Sequence, residues 1–316
     1  MCAQRILITG GCGFIGINLI EYLKKNTGHK LLVLDNLSLG KREYLSGFDI
    51  EFTEGDIRDE ALVRGLVRGV DAIVHLAADT SVMDSIENPD FNFDVNVTGA
   101  YNLLRATQAA GIRHFVFAST GGAIIGEVTP PVNESMPPRP QSPYGASKLC
   151  IEGYCSAFAG SYGMKTVSLR FSNVYGPHSY HKGSVVAAFF KRILKGEPLI
   201  VYGDGTQTRD FVFSEDLCSA IAGSLSLETG GEAVQLGSGR ETSVNELITA
   251  IKGVVGTDYK IDVIYKPFRA GEVRRNYGDI GKARKMLNYE PRTGLLTGLE
   301  KTWGWFRRQE QAKRAK

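Results

Sequence analysis

The sequence predicts an α/β fold, a doubly wound parallel (Rossmann) sheet carrying a smaller mixed α/β C-terminal lobe. Two observations carry this reading. Short apolar runs rich in β-branched or aromatic residues recur at 6–8, 31–34, 72–74 and 115–117. Runs that are apolar throughout, without polar alternation, suit strands buried on both faces, as in a parallel sheet. Helical stretches at 16–25, 61–68 and 93–110 separate them, and strand alternating with helix defines the doubly wound class.

The alternation persists through Val167-Ser168-Leu169-Arg170 and thins after about residue 176. Turn-rich segments such as Tyr175-Gly176-Pro177 and Tyr202-Gly203-Asp204-Gly205 follow. The division expected is residues 1–176 as the sheet domain, a later return to it at about 206–222, and 177–316 as mainly the second lobe. Six prolines between Pro130 and Pro143 mark an extended loop. A chain of 316 residues, 43% hydrophobic, can bury a sizeable core. A net charge of +3 is too small to argue for a nucleic-acid partner. The five cysteines, Cys2, Cys12, Cys150, Cys155 and Cys218, are scattered without the paired spacing of a zinc site, so no metal and a reducing cytoplasm are expected. No run approaches the ~20 apolar residues that span a bilayer, so no membrane partner is expected.

The first strand runs into Thr9-Gly10-Gly11-Cys12-Gly13-Phe14-Ile15-Gly16, and a helical pattern begins at once. Gly10, Gly13 and Gly16 allow a sharp turn and close packing of helix on sheet. The helix N-terminus, with Phe14 and Ile15 in its first turn, then offers free amides to a pyrophosphate. Asp35 closes the second strand, 19 residues after Gly16, where a carboxylate and the following Asn36 would hold an adenosine ribose. A carboxylate there disfavours a 2′-phosphate, so NAD is favoured over NADP, with Lys41 and Arg42 the opposing consideration. Asp56 and Ile57 follow the third strand, at the adenine end.

Beyond the proline-rich loop, Tyr144-Gly145-Ala146-Ser147-Lys148 opens another helical stretch. A tyrosine and a lysine four apart share one helix face. A free phenol, with a pKa of about 10, is a poor base at neutral pH. Moving it down by about three units takes roughly 4 kcal/mol, which the lysine and a cationic nicotinamide would together supply.

The chain thereby resembles the extended short-chain dehydrogenase/reductases, the NAD-dependent nucleotide-sugar epimerase/dehydratase family, nearest to its UDP-glucose 4-epimerase-like members. The resemblance also rests on Asp56-Ile57, His75-Leu76-Ala77-Ala78, Asn96-Val97-Thr98-Gly99, 170–177, Gly203-Asp204-Gly205, 207–211 and Gly271-Glu272-Val273-Arg274. It implies Tyr144 as the base on a sugar hydroxyl, with Lys148 tuning it and holding the nicotinamide ribose. It implies Leu76, Ala77, Ala78 and Asn96 beside the cofactor, and Asn173 and Arg209 on the substrate's diphosphate. Tyr202 would lie against the nucleotide base, with Glu272 and Arg274 at the nucleotide end. Ser81, Val82 and Val185 would border the substrate, and a homodimer would form through the helices around 93–110 and 145–159.

Dehydratases of the family carry an acidic pair directly after a catalytic Ser or Thr. Here no carboxylate follows Thr120 until Glu127, and elimination of water would lack its proton carriers. That favours epimerisation at C4 of a UDP-hexose through a transient 4-keto sugar. Dehydration, a uronate-type epimerase or decarboxylase, a reductase and a non-enzymatic NAD sensor are the alternatives. Counting back from Gly126, the customary hydroxyl position is Gly121; Ser119, Thr120 or a water would take its role. His178, His181 and Lys182 read equally well as addressing a substrate carboxylate or acetamido group and as solvated loop residues.

Overall fold

The computed structural model describes residues 3–268 and 273–314. The chain begins β1 (Arg5–Thr9), α1 (Phe14–Asn26), β2 (Lys30–Asp35), β3 (Glu51–Glu54), α2 (Glu60–Leu66), β4 (Ala72–His75). It continues α3 (Val82–Glu87), α4 (Pro89–Phe93), α5 (Ala100–Ala109), β5 (His114–Thr120), α6 (Gly121–Ile125), α7 (Pro143–Tyr162), β6 (Lys165–Phe171) and β7 (Asn173–Tyr175). Then come α8 (Val185–Leu194), β8 (Leu199–Tyr202), β9 (Thr208–Arg209), β10 (Phe211–Phe213), α9 (Ser214–Ser224) and β11 (Glu232–Leu236). The last elements are β12 (Thr242–Ser243), α10 (Val244–Val255), β13 (Val263–Lys266), α11 (Gly281–Leu287) and α12 (Leu295–Arg314).

Seven strands form one parallel sheet in the order β11-β6-β5-β4-β1-β2-β3. The order reverses between β1 and β4, and a crevice opens at the carboxyl ends of strands at such a point. Side chains alternate across the strands as a period of two requires. Ile6 and Ile8 pack with α1 residues Ile17 and Ile20 in one apolar layer, while Leu7 joins Ile73, Phe115 and Ile151 in the layer on the other face. A third core, around Phe190, Trp303 and Phe306, belongs to the second lobe. The chain comes back to the sheet through β11, and β10 pairs with β7.

Local chemistry explains the helices at the crevice. α1 has Gly13 at its N-cap and no side-chain cap, so its first amides stay available. α7 starts with Ser142, whose hydroxyl accepts from Gly145 N, followed by Pro143, and it ends on Gly163 in the left-handed region. The helix expected over 93–110 is not continuous. α4 ends at Phe93, and a π-helical turn at Asp94–Gly99 precedes α5. Wide turns of this kind gather at functional sites, and this one carries Asn96. Among the described residues, no helix is long and apolar enough to cross a membrane.

Candidate active site

A cavity of about 630 Å³ fills the crevice. Gly10, Gly13, Phe14, Ile15 and Gly16 border it from the β1–α1 turn, and Asp35 and Asn36 from the end of β2. Asp56 and Ile57 follow β3, and Leu76, Ala77 and Ala78 follow β4. Gly10 has φ +72°, and a Cβ there would lie 2.7 Å from Ala77 N; one at Gly16 would lie 2.3 Å from Gly10 O. Only glycine lets the turn, the helix and the β4 loop approach so closely.

These residues fit a dinucleotide. Uncapped α1 amides face the position of a pyrophosphate. The Asp35 carboxylate accepts from Cys12 N at 2.9 Å and Leu37 N at 2.8 Å, fixing it at the strand end with lone pairs to spare for ribose hydroxyls. Burial pushes Asp35 upward, and those two amides pull it back. Asn36 Nδ2 donates to Asp56 Oδ2 at 3.1 Å, and Arg58 beside it holds Asp56 well below the usual carboxylate range.

Tyr144 and Lys148, both on α7, border the cavity opposite β5. Tyr144 N donates to Ser85 Oγ at 3.2 Å, which ties the first turn of α7 to α3. Lys148 Nζ donates to Ala118 O at 2.9 Å and sits 4.9 Å above the Phe117 ring and 5.9 Å from the Tyr144 ring centre. The Thr120 side chain hydrogen-bonds the Tyr144 hydroxyl. Ser119 also borders the cavity, but its hydroxyl donates to Glu152 Oε1 at 2.6 Å. That places Thr120, not Ser119, at the phenol. Gly121 opens α6, and a Cβ there would strike Gln235 Nε2 at 2.3 Å. The register that removes a hydroxyl from position 121 therefore supplies one from 120.

Burial sets the electrostatics of the pair. In the chain by itself, Lys148 does not bring the phenol down. Burial pushes Tyr144 up to about 12, the Thr120 hydrogen bond opposes the rise, and the Asp79 carboxylate adds to it. Burial likewise lowers Lys148 to about 7, against the pull of Asp79 and Glu152. Desolvation is the largest influence on both groups. A further positive charge in the cleft is what would favour the phenolate.

Behind the wall, Glu152 and Arg170 form a buried two-pronged ion pair, with Nη2–Oε2 at 2.6 Å and Nε–Oε1 at 2.9 Å. It clamps α7 to β6, one turn beyond Lys148. Asn96 is buried, 2% exposed, behind the residues that border the cavity. Its side chain accepts from Asp79 N and donates to Asp79 O, both at 2.8 Å, and reaches Ser147 Oγ at 3.1 Å. It positions the Asp79 loop against α7. Asp79 and Thr80 themselves border the cavity; their place directly after His75-Leu76-Ala77-Ala78 was the signal available to find them. His181 and Lys182 border it as well, each half-buried.

Of the substrate contacts implied by the resemblance, Asn173 borders the cavity. Ser81, Val82, Val185, Tyr202, Arg209 and Arg274 do not. Ser81 caps α3, its Oγ accepting from Asp84 N at 3.1 Å, and Val82 is 42% exposed. Val185 packs against the core of the second lobe. Tyr202, Arg209 and Arg274 are placed by the second set of strands. Tyr202 closes β8, Arg209 Nη1 donates to Thr208 O at 2.8 Å, and Thr208 N donates to Arg274 O at 2.9 Å. The Arg274 guanidinium stacks 5.1 Å from the Phe268 ring. Glu272 lies outside the described residues.

Residues 6–237 match the model of the NAD dependent epimerase/dehydratase family. The chain is 37% identical over 319 residues to a UDP-glucose 4-epimerase of Mycolicibacterium smegmatis, covering 98% of this chain and 100% of that protein. The crystal structure of UDP-glucose 4-epimerase from Thermotoga maritima with UDP-glucose superposes with a TM-score of 0.92 at 39% identity, over 97% of this chain and 100% of the other. The dTDP-glucose 4,6-dehydratase of Streptomyces venezuelae, solved with NAD bound, gives 0.90 at 33% identity, over 98% of each chain. The glycine turn, the Asp35 strand end and the Tyr144/Lys148 pair thus stand in a chain that belongs to the NAD-dependent epimerase/dehydratase family, an extended short-chain dehydrogenase/reductase enzyme that uses NAD.

Proposed function

We propose that the protein interconverts UDP-hexoses that differ at C4. One observation carries the choice of reaction: Thr120, hydrogen-bonded to Tyr144, is followed by α6, Gly121–Ile125, a turn of helix with no titratable side chain. An elimination needs an acid and a base at that wall; a reversible oxidation needs only the phenol.

NAD, when bound, supplies the acceptor and donor of hydride. Tyr144 takes the proton of the 4-hydroxyl and returns it, and Thr120 holds the phenol oxygen and the sugar oxygen in one hydrogen-bonded line. Lys148, braced on Ala118 O beside the phenol, would hold the nicotinamide ribose. Asn173 and Arg209 would bind the diphosphate, about which the 4-keto sugar turns to present its other face. Tyr202, Arg274 and Glu272 would take the nucleotide end. Residues 1–176, with the return at about 206–222, would hold NAD, and 177–316 mainly the nucleotide-sugar.

Enzyme with bound NAD and none added is to be incubated with UDP-glucose, UDP-N-acetylglucosamine and UDP-glucuronate and followed by NMR. A mixture of C4 epimers from at least one supports the reading, and no change in any of the three refutes it. A 4-keto-6-deoxy product from a hexose would mean dehydration, and one-to-one consumption of NAD(P)H in a parallel incubation supplied with it would mean a reductase. Tyr144→Phe should abolish turnover while NAD stays bound, which separates an enzyme from an NAD sensor.

We infer a homodimer from the exposed aromatic stripe of α4, α5 and α7. Phe93 and Tyr162 are 57% and 58% exposed, and Tyr101 meets Tyr154 with ring centres 4.9 Å apart. Light scattering that returns the mass of one chain at micromolar concentration would end that reading.

A further inference from the structure

The segment 176–184, between β7 and α8, crosses the crevice from one lip to the other. At its start it is tied to α1: Asn18 Nδ2 donates to Pro177 O at 3.0 Å, and His178 Nε2 meets Glu21 Oε1 at 2.9 Å. At its far end Lys182 Nζ donates to Thr80 Oγ1 at 3.3 Å, on the loop after β4. Between these moorings lies the β1–α1 turn. The β4 loop flanks that turn closely, with Ala77 N within 2.7 Å of where a Gly10 Cβ would stand. The strap is braced internally, Ser179 Oγ donating to Gly176 O at 2.6 Å and Lys182 N to Ser179 O at 2.9 Å. Lys191 Nζ, on α8, adds a bond to Lys182 O at 2.9 Å.

Lys182 is half-buried and borders the same cavity as Gly10, Gly13 and Phe14. Among the described residues no carboxylate lies within salt-bridge distance of it; its partner there is one hydroxyl. Burial lowers its pKa, and His181 beside it is lowered to about 4 by burial and by Lys182, Lys191 and Lys41. A desolvated ammonium without an anion is costly, and three lysines crowd one histidine. The oxygens of a diphosphate lying between the α1 amides and the strap would complement these charges.

We propose that Lys182 is a ligand to the pyrophosphate of NAD, placed opposite the α1 N-terminus, so that the 176–184 segment straps the cofactor into the enzyme. The diphosphate of the nucleotide-sugar has the same chemistry, and the test separates the two. Release of bound NAD is followed by chase with labelled NAD and by chromatography of the nucleotide that stays with the chain. A charge-assisted hydrogen bond to phosphate has a strength that corresponds to about 10- to 100-fold in rate. Lys182→Gln should release NAD faster by that factor, Lys182→Arg should stay near the parent, and UDP affinity of the NAD-loaded protein, by calorimetry, should not change. In the unaltered protein, NAD should protect Lys182 from amine-reactive labelling, read by mass spectrometry, whereas UDP should not. Weaker UDP binding with unchanged NAD release would assign Lys182 to the substrate and overturn the proposal. So would unchanged release in Lys182→Gln, equal acceleration in Lys182→Arg, or labelling that NAD leaves unaffected.

Discussion

Replacing Thr120 by Val removes one hydroxyl and keeps the shape of the side chain. In the structure that hydroxyl is bonded to the Tyr144 phenol, inside a site where burial already holds the phenol near 12. A hydrogen bond to a group that becomes charged contributes about 1.5–3 kcal/mol, so kcat should fall by about 10- to 150-fold. Because the bond lowers the phenol's pKa, its loss should also move the rising limb of the kcat–pH profile to higher pH. NAD content should be unchanged, and Thr120→Ser should recover most of the rate. Ser119→Ala is the control: it strips a donor from buried Glu152, which should cost about 1–3 kcal/mol of stability while leaving kcat within roughly threefold. The assay is epimer interconversion on whichever UDP-sugar turns over, with urea melts alongside. If Thr120→Val keeps more than about a third of the parent kcat, or Ser119→Ala loses as much, the assignment of the hydroxyl to position 120 fails.

Three further outcomes follow from the same geometry. Arg170→Met leaves Glu152 buried without its partner and should destabilise the fold by about 3–5 kcal/mol; a urea midpoint equal to the parent's would contradict the clamp. His75 is fully buried and lowered to about 3, first by burial and then by Lys148. Its folded pKa lies below the unfolded one of about 6.5, so its contribution to stability is whole above about pH 6.5 and fades as the pH drops toward 3. An NMR titration of the His75 ring with a midpoint near 6.5 would show this to be wrong. Gly16→Ala forces a Cβ to within 2.3 Å of Gly10 O and 2.5 Å of Gly11 Cα. It should cost about 1–3 kcal/mol and lower the NAD that copurifies; full retention would mean the turn has slack that the geometry denies.

What was legible in the sequence was whatever short-range pattern encodes. The period and burial of β1, β2, β4 and β5, the glycine turn and the Tyr144/Lys148 spacing are local properties. An i,i+4 pair lies on one helix face wherever the helix goes. Asp35 was legible because a strand end is set by the strand itself. The break of the 93–110 helix was not, since the π turn carries Asn96, whose bonds to the Asp79 backbone join residues 17 apart and leave no periodic signal.

The sequence by itself determined the fold class and the cofactor and singled out Tyr144 as the candidate base, because those follow from periodicity and from motifs contiguous in the chain. Tertiary structure decided which hydroxyl lies at the Tyr144 phenol. Counting from Gly126 points to Gly121, but Gln235 from β11 occupies the space a side chain would need there, and Thr120 turns to Tyr144 instead. It also decided the ionisation of the pair, since burial depends on every element around α7, and it brought Lys182 to Thr80 across 102 residues of chain. Contacts of that separation carry no periodic signal; they exist only once the sheet has set where its loops stand.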